Sequence, residues 1–143
     1  MNTTLGPVIA LALWSMIMLG WMIVRRFGAM KAKGISLAGR RGGRGQDLEA
    51  LIEGPVHWPA HNYTHLMEQP TVFYAVALAL AVMGQGTGWS AWLAWAYVSL
   101  RVAHSIVQST ANIISLRANL FMGSTVVLIV LAVRAAVLLA HTH

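Results

Sequence analysis

The stretch LGPVIALALWSMIMLGWMIV, residues 5–24, contains no charged side chain. A helix rises about 1.5 Å per residue, so a helix of this length covers the roughly 30 Å hydrocarbon core of a bilayer. The stretch is too long for the apolar part of a cleaved signal peptide, and no basic residue precedes it. It therefore predicts a membrane-spanning helix.

Three further apolar runs follow along the chain, at residues 62–83, 89–115 and 118–140. A turn with three glycines separates the second run from the third, and a short connection around Arg117 separates the third from the fourth. Short connections are typical of antiparallel neighbours in a helix bundle. With 57% hydrophobic residues, 10% charged residues and a mean hydropathy of +0.64, the chain is too apolar for a soluble domain. The sequence predicts an all-α integral membrane protein, a single four-helix transmembrane bundle over residues 1–143.

The basic residues predict how the bundle is oriented. Ten Lys and Arg stand against four acidic residues, and seven of the ten lie between Arg25 and Arg44, inside the predicted loop 25–61. Basic loops stay in the cytoplasm, so we expect a multi-pass protein of the cell inner membrane with both termini outside. The segment GRRGGRG, residues 39–45, also resembles RNA-binding sequences, but topogenic charge explains it without a nucleic-acid partner.

Polar side chains inside the predicted spans mark the candidate site, because they are costly in lipid and usually face the bundle interior. The third span carries a series separated by three or four residues, which places it on one helical face: Arg101, His104, Gln108, Asn112 and Ser115. The second span opens with His61, Asn62, His65 and Glu68.

The helical rise places Glu68 level with Gln108 if the two spans are antiparallel. Arg101 lies deeper, so we expect Glu68 to be its counter-ion, with His104 nearby. A plainer interpretation is that this ion pair only holds two helices together. The spacing of His61, His65 and Glu68 also suits a metal ion with two imidazole ligands and one carboxylate ligand. A membrane di-iron site needs several such histidine clusters, so we expect no metal site. No partner for Arg134 is evident from the sequence.

Two segments resemble the signatures of the MAPEG family, the membrane-associated proteins of eicosanoid and glutathione metabolism, in a bacterial-type member. These segments are NYTHLMEQPTVFY, residues 62–74, and RVAHSIVQSTANIISLRANLF, residues 101–121. The residues that match the family pattern are Glu68, Arg101, His104 and Arg117, and Arg25 or Arg26 resembles the basic residue that ends the first helix. The resemblance implies a homotrimer with sites between neighbouring subunits, open to the cytoplasmic side.

The chain also departs from the glutathione-using members of that family. His61 and His65 stand where those members commonly have Arg and Asn, and Gln108 stands where they have a tyrosine. Gln108 can donate a hydrogen bond to a sulfur atom but is less acidic than tyrosine. These departures affect the expected activity more than the expected fold.

The resemblance implies a glutathione-dependent transferase or peroxidase that acts on a lipophilic electrophile or a lipid hydroperoxide. The chain has no cysteine, so glutathione, as co-substrate, would have to bring the thiol. We assign catalytic roles to Arg117, Arg26 and Gln108. We assign glutathione binding to Arg25, His61, Asn62, His65, Glu68, Arg101, His104 and Asn112.

The sequence allows two other classes of function. The first is a non-catalytic membrane protein of the same fold that binds a lipid or a partner protein. The second is a transporter or channel, which commonly has internal repeats and helices broken near the middle of the membrane. The chain has no internal repeat, and we expect no Gly or Pro interruption at the middle of a span, which argues against transport.

Overall fold

The computed structural model describes residues 3–141, and within this range it contains only helices and the loops between them. The all-α fold class is therefore confirmed. The α-helices are α1 (Leu5–Ala32), α2 (Trp58–Met67), α3 (Gln69–Val82), α4 (Trp89–Ser109) and α5 (Ile114–Ala140). The loop between α1 and α2 contains two short 3-10 helices, Gly45–Ala50 and Pro55–His57. The chain termini, which the sequence predicts outside the cell, lie beyond the described residues.

Three helical segments of the described chain are long and apolar enough to cross a membrane: Leu5–Ala32, Pro55–Val82 and Ile114–Ala140. Helix α4 has 21 residues but includes Arg101, His104 and Gln108, which lower its hydropathy. It packs against α1, α2, α3 and α5, so its polar face is enclosed by the other helices. This arrangement explains how a polar helix fits among apolar ones.

The core of the bundle is apolar, and so are its outward faces. Phe73 stacks on Tyr97 with ring centroids 4.5 Å apart, and both side chains are fully buried. Large apolar side chains are nevertheless exposed on α1, α3 and α5, including Val24, Val82 and Ile114. Apolar surface of this extent is unfavourable in water and favourable in contact with lipid.

Helix α1 continues eight residues beyond the predicted end of the first span, to Ala32. Arg25 and Arg26 therefore lie on a helix and not in a loop, because basic residues do not interrupt helical hydrogen bonding. Helix α4, in contrast, ends at Ser109, before the predicted position 115. Asn112 adopts a φ of 49° and donates its N–H to the Val107 carbonyl at 2.7 Å, an arrangement that terminates a helix.

The second span is broken at Glu68, a break that was not predicted from the sequence. Glu68 has φ −93° and ψ −100°, outside the helical region, and divides α2 from α3. Pro70 explains the break, because proline lacks the N–H that would bond to the Leu66 carbonyl and its ring clashes with that carbonyl.

The two ends of the bundle differ in charge. Arg26 and Arg117 lie at one end, which we call the basic end. At the other end, Arg134 on α5 donates a hydrogen bond from Nε to the Ser90 hydroxyl at 2.9 Å. Arg134 therefore has a partner within its own chain, at the start of α4, that the sequence did not reveal.

Candidate functional site

A cavity of about 530 Å³ opens at the basic end of the bundle. Its walls come from α1, α2, α4, the start of α5 and the loop after α1. The lining residues are Arg26, Gln46, Glu49, Ala60, His61, Thr64, His65, Glu68, Gln108 and Arg117. Two other cavities of similar size are lined almost entirely by apolar side chains, so this one is the candidate site for a polar ligand.

Arg117 is held in place by a residue that does not itself line the cavity. Its Nη1 donates to the Asn112 side-chain oxygen at 2.7 Å. Asn112 lies in the turn between α4 and α5 and has a left-handed backbone conformation. Asparagine tolerates this conformation better than most residues. The turn that ends α4 therefore also fixes the guanidinium at the cavity.

Arg26 reaches the cavity from α1 and lies against the backbone of Gly45 in the loop. A Cβ atom added to Gly45 would collide with Nη1 of Arg26. The Nε atom of Arg26 is buried and has no hydrogen-bond partner among the described residues. Arg25, which the sequence placed at the same site, is exposed and does not line the cavity.

The loop after α1 forms one wall of the cavity with the 3-10 helix Gly45–Ala50. Asp47 accepts a hydrogen bond from the Arg44 backbone N–H at 2.7 Å, which caps this short helix. The helix brings Gln46 and Glu49 to the cavity, and Glu49 Oε1 lies 2.9 Å from His61 Nε2. Sequence reasoning missed both residues, because no periodicity in a glycine-rich loop shows which side chains fold back onto the bundle.

The wall formed by α2 contains the residues around the helix break. His65 Nδ1 lies 3.2 Å from Glu68 Oε2, and both side chains line the cavity together with Thr64. Gln108 faces them from α4, as the sequence predicted from the level of the two helices. Its side chain is 2% exposed, and its Oε1 has no hydrogen-bond partner in the described chain.

Arg101 does not form the ion pair with Glu68 that the sequence predicted. Its side chain is fully buried and donates from Nη2 to the backbone carbonyl of His65 at 3.1 Å. The break at Glu68 frees this carbonyl from its usual helical partner, which is the N–H four residues later, so the guanidinium takes its place. The Glu68 carboxylate turns to the His65 ring instead.

The guanidinium of Arg101 lies 5.6 Å from the centre of the Phe121 ring, a favourable cation–π contact. Within residues 3–141, its Nε and Nη1 atoms find no acceptor. The His104 side chain is buried nearby, with its ring centroid 5.9 Å from that of His65 and 6.1 Å from that of Phe121. Arg101 and His104 thus lie behind the cavity wall and position His65 rather than reach the cavity themselves.

Asn62 also lies behind the cavity wall. It is fully buried and donates from Nδ2 to the Ser105 hydroxyl, which also accepts the Trp14 indole N–H at 2.9 Å. This hydroxyl therefore ties α1 and α2 to α4. Ser115 is exposed on α5, outside the polar face of α4 to which the sequence had assigned it.

The structure thus brings together six of the predicted site residues at one cavity: Arg26, His61, His65, Glu68, Gln108 and Arg117. The other five, Arg25, Asn62, Arg101, His104 and Asn112, do not line it. In residues 3–141, no three histidine or carboxylate side chains are grouped closely enough to bind a metal ion.

The cavity can bind an ionic ligand but offers no thiol of its own. Two guanidinium groups suit carboxylates or a thiolate, and two carboxylates and two amides supply acceptors. With no cysteine in the sequence, a sulfur nucleophile must arrive with the ligand.

A search of protein-family models finds the MAPEG family over residues 4–137, nearly the whole chain. The match includes both segments on which the resemblance rested, residues 62–74 and 101–121. No curated protein and no solved structure matches the chain.

Proposed function

The chain belongs to the MAPEG family, whose members include glutathione-dependent transferases and peroxidases, and we propose that it is such an enzyme. The proposed substrate is a lipophilic electrophile or a lipid hydroperoxide that arrives through the bilayer. The exposed apolar faces of α1, α3 and α5 are consistent with contact to lipid.

One observation carries the proposal. Arg117, fixed by Asn112, lines the same cavity as Arg26 and Gln108, whose buried Oε1 has no hydrogen-bond partner among the described residues. Glutathione has two carboxylates that guanidinium groups bind well, and a thiol whose ionised form they stabilise. A nearby guanidinium lowers the pKa of such a thiol from roughly 8.5, which increases the fraction of thiolate. The Gln108 amide N–H can donate to the same sulfur atom.

The thiolate can then react in two ways. With an electrophile, its sulfur forms a bond to carbon, and either a leaving group departs with the bonding electrons or the carbanion formed by addition takes a proton. With a hydroperoxide, sulfur attacks the outer oxygen and the O–O bond breaks, so that the alkoxide leaves and takes a proton. The resulting glutathione sulfenic acid reacts with a second glutathione to give the disulfide and water.

The second candidate is a membrane protein of this family that binds a lipid without catalysis. An apolar cavity of about 530 Å³ between α1 and α4 favours it. This cavity is lined by residues such as Leu13, Trp14 and Ile106, and its apolar lining suits an acyl chain. The two candidates differ in whether the polar cavity at the basic end binds a thiol ligand.

Isothermal titration of the detergent-purified protein with glutathione separates the two candidates. The proposal expects saturable binding, and Arg117→Lys is expected to weaken it about tenfold, because lysine keeps the charge but loses the bidentate contact. Arg134→Lys is the matched control, since Arg134 lies at the other end of the bundle beside Ser90. It should bind glutathione like the parent protein.

Turnover of glutathione with an electrophile or a lipid hydroperoxide should fall in Arg117→Lys and should stay at the parent level in Arg134→Lys. If an Arg117→Lys protein binds and turns over glutathione like the parent, Arg117 only sets the orientation of the protein in the membrane and is not a ligand residue. No binding of glutathione to the parent protein would favour the lipid-binding candidate.

We also propose that the protein forms a homotrimer with sites between neighbouring subunits. The buried polar atoms of Gln108 and Arg26 that lack partners in the described chain are consistent with groups supplied by a ligand or by a neighbouring subunit.

A further inference from the structure

Glu49 places a carboxylate in the cavity that the proposed function does not use. It lies on the 3-10 helix Gly45–Ala50, and its side chain is 36% exposed. Its Oε1 contacts His61 Nε2, while its Oε2 has no hydrogen-bond partner among the described residues. A free carboxylate oxygen at a ligand cavity can accept a hydrogen bond that the ligand donates.

The loop holds Glu49 in a defined place. Asp47 caps the 3-10 helix, and Ile52, which follows it, is buried with 5% of its surface exposed. The Ile52 carbonyl also contacts the buried His57 ring. A recognition group discriminates between ligands only when its support is ordered, and this segment provides that support.

The charges around the cavity favour a zwitterionic ligand over a purely anionic one. Arg26 and Arg117 attract carboxylates, but Glu49 and Glu68 repel them. A ligand with carboxylates and an ammonium group can satisfy both pairs. Glutathione carries two carboxylates and one ammonium group, so its charges are complementary to those of the cavity.

Glu49 is better placed than Glu68 to bind the ammonium group. The Glu68 side chain is 60% exposed, against 36% for Glu49, so solvent screens its attraction to a cation more strongly. Glu68 also lies beside His65, whose carbonyl binds the buried cation Arg101. An ammonium group there would be close to a like charge.

We propose that Glu49 is a specificity-determining residue that accepts the ligand's free ammonium group, so that the site selects zwitterionic thiol peptides over purely anionic thiols. This inference rests on the proposed function. It assigns the selection to a loop residue outside both segments that carry the family resemblance.

The test compares glutathione with N-acetylglutathione, which keeps the thiol and both carboxylates but lacks the ammonium group. Both ligands are titrated into the purified full-length protein and into Glu49→Gln, Glu68→Gln and Glu53→Gln. Glu53 is an exposed carboxylate of the same loop that does not line the cavity, so Glu53→Gln controls for net charge.

The parent protein and Glu53→Gln should prefer glutathione about tenfold, the usual size of a charge-assisted hydrogen bond. Glu49→Gln should lose this preference by binding glutathione more weakly while it binds N-acetylglutathione as well as before. An equal loss of both ligands would mean that Glu49 only supports the loop, and would overturn the inference. A preference that survives in Glu49→Gln, or disappears in Glu68→Gln instead, would also overturn it. If the parent protein binds neither ligand, the proposed function itself fails.

Discussion

At the scale of single residues, the present position of the Arg26 guanidinium depends on Gly45, which has no side chain. The glycine backbone lies directly against the guanidinium, whose terminal atoms would collide with any Cβ there. The sequence predicted a role for Arg26 from its position at the end of the first span, but it could not predict this partner. The contact joins residues 19 positions apart through a loop that has no regular pattern.

Gly45→Ala should therefore displace the Arg26 guanidinium and leave the fold intact, because the colliding group is the mobile end of a long side chain. We expect glutathione affinity to fall several-fold in titration calorimetry, as expected for a weakened charge-assisted hydrogen bond. Gly28→Ala is the matched control, since Gly28 lies within α1 and an added Cβ meets no neighbour within 4 Å. It should keep the parent affinity and stabilise α1 by up to about 1 kcal/mol. Equal affinity in Gly45→Ala and the parent would exclude Arg26 from ligand binding.

The buried residues show a second limit of sequence reasoning. The three-and-four spacing correctly indicated that Arg101, His104 and Gln108 share the buried face of α4. It could not indicate that Arg101 binds a backbone carbonyl instead of Glu68, because this acceptor exists only where the helix is broken. Pairing charges by depth assumed a continuous second helix, and that assumption was wrong.

At the scale of elements, the break at Glu68 connects the helix geometry to the cavity. It turns the Glu68 carboxylate to the His65 ring, and the His65 carbonyl accepts hydrogen bonds from Arg101 Nη2 at 3.1 Å and from the Glu68 N–H at 3.4 Å. Thr71 stabilises the start of α3 by donating both its N–H and its hydroxyl to the Glu68 carbonyl, at 3.1 and 2.7 Å. The signal for this break was present in the sequence as Pro70.

Pro70→Ala should allow the helix to continue through Glu68, because residue 70 regains an N–H that can bond to the Leu66 carbonyl. The Gln69 N–H would then compete with Arg101 for the His65 carbonyl, and Glu68 would move away from its present position. We expect roughly tenfold weaker glutathione binding in titration calorimetry, comparable to the loss of one charged hydrogen bond. Hydrogen exchange should show protection of the new amide at residue 70.

Pro59→Ala provides the control for this prediction. Pro59 lies in the first turn of α2, where the N–H groups have no helical partner in any case. Its replacement should change the dissociation constant of glutathione by no more than about twofold. This change is much smaller than the roughly tenfold change expected from the loss of one charged hydrogen bond. If Pro70→Ala also bound glutathione like the parent, the break would have no part in the ligand site.

At the scale of the whole molecule, the contacts place the beginning and the end of the described chain at the same end of the bundle. The Thr4 N–H donates to the Gly86 carbonyl at 2.8 Å in the turn between α3 and α4. Arg134, near the end of α5, binds Ser90 beside the same turn. The basic end, with Arg26 and Arg117, lies opposite. An even number of crossings is consistent with this arrangement, and we propose that α4 crosses together with the three apolar helical segments.

This geometry leads to a prediction of orientation that the sequence already suggested from charge. The loop after α1 holds the basic residues from Lys33 to Arg44, whereas the turn at 84–88 has none, so the loop is expected in the cytoplasm and the turn outside. Single cysteines can report on both sides because the chain has none of its own. Ala38, which is exposed in the loop, and Thr87, which is exposed in the turn, are suitable positions.

In intact cells, a membrane-impermeant maleimide should label Thr87→Cys and should leave Ala38→Cys unlabelled until the membrane is permeabilised. The expected difference is nearly complete, because a charged reagent does not cross the hydrocarbon core on the time scale of labelling. Labelling after permeabilisation serves as the control that Ala38→Cys is reactive and folded. Labelling of Ala38→Cys but not Thr87→Cys in intact cells would reverse the orientation and place the candidate site outside the cell.

Glutathione is abundant inside cells as a reduced thiol, so the proposed enzyme requires the basic end to face the cytoplasm. Equal labelling of both positions in intact cells would mean that the segment Pro55–Val82 between them does not cross the membrane, and the four-span topology would have to be abandoned.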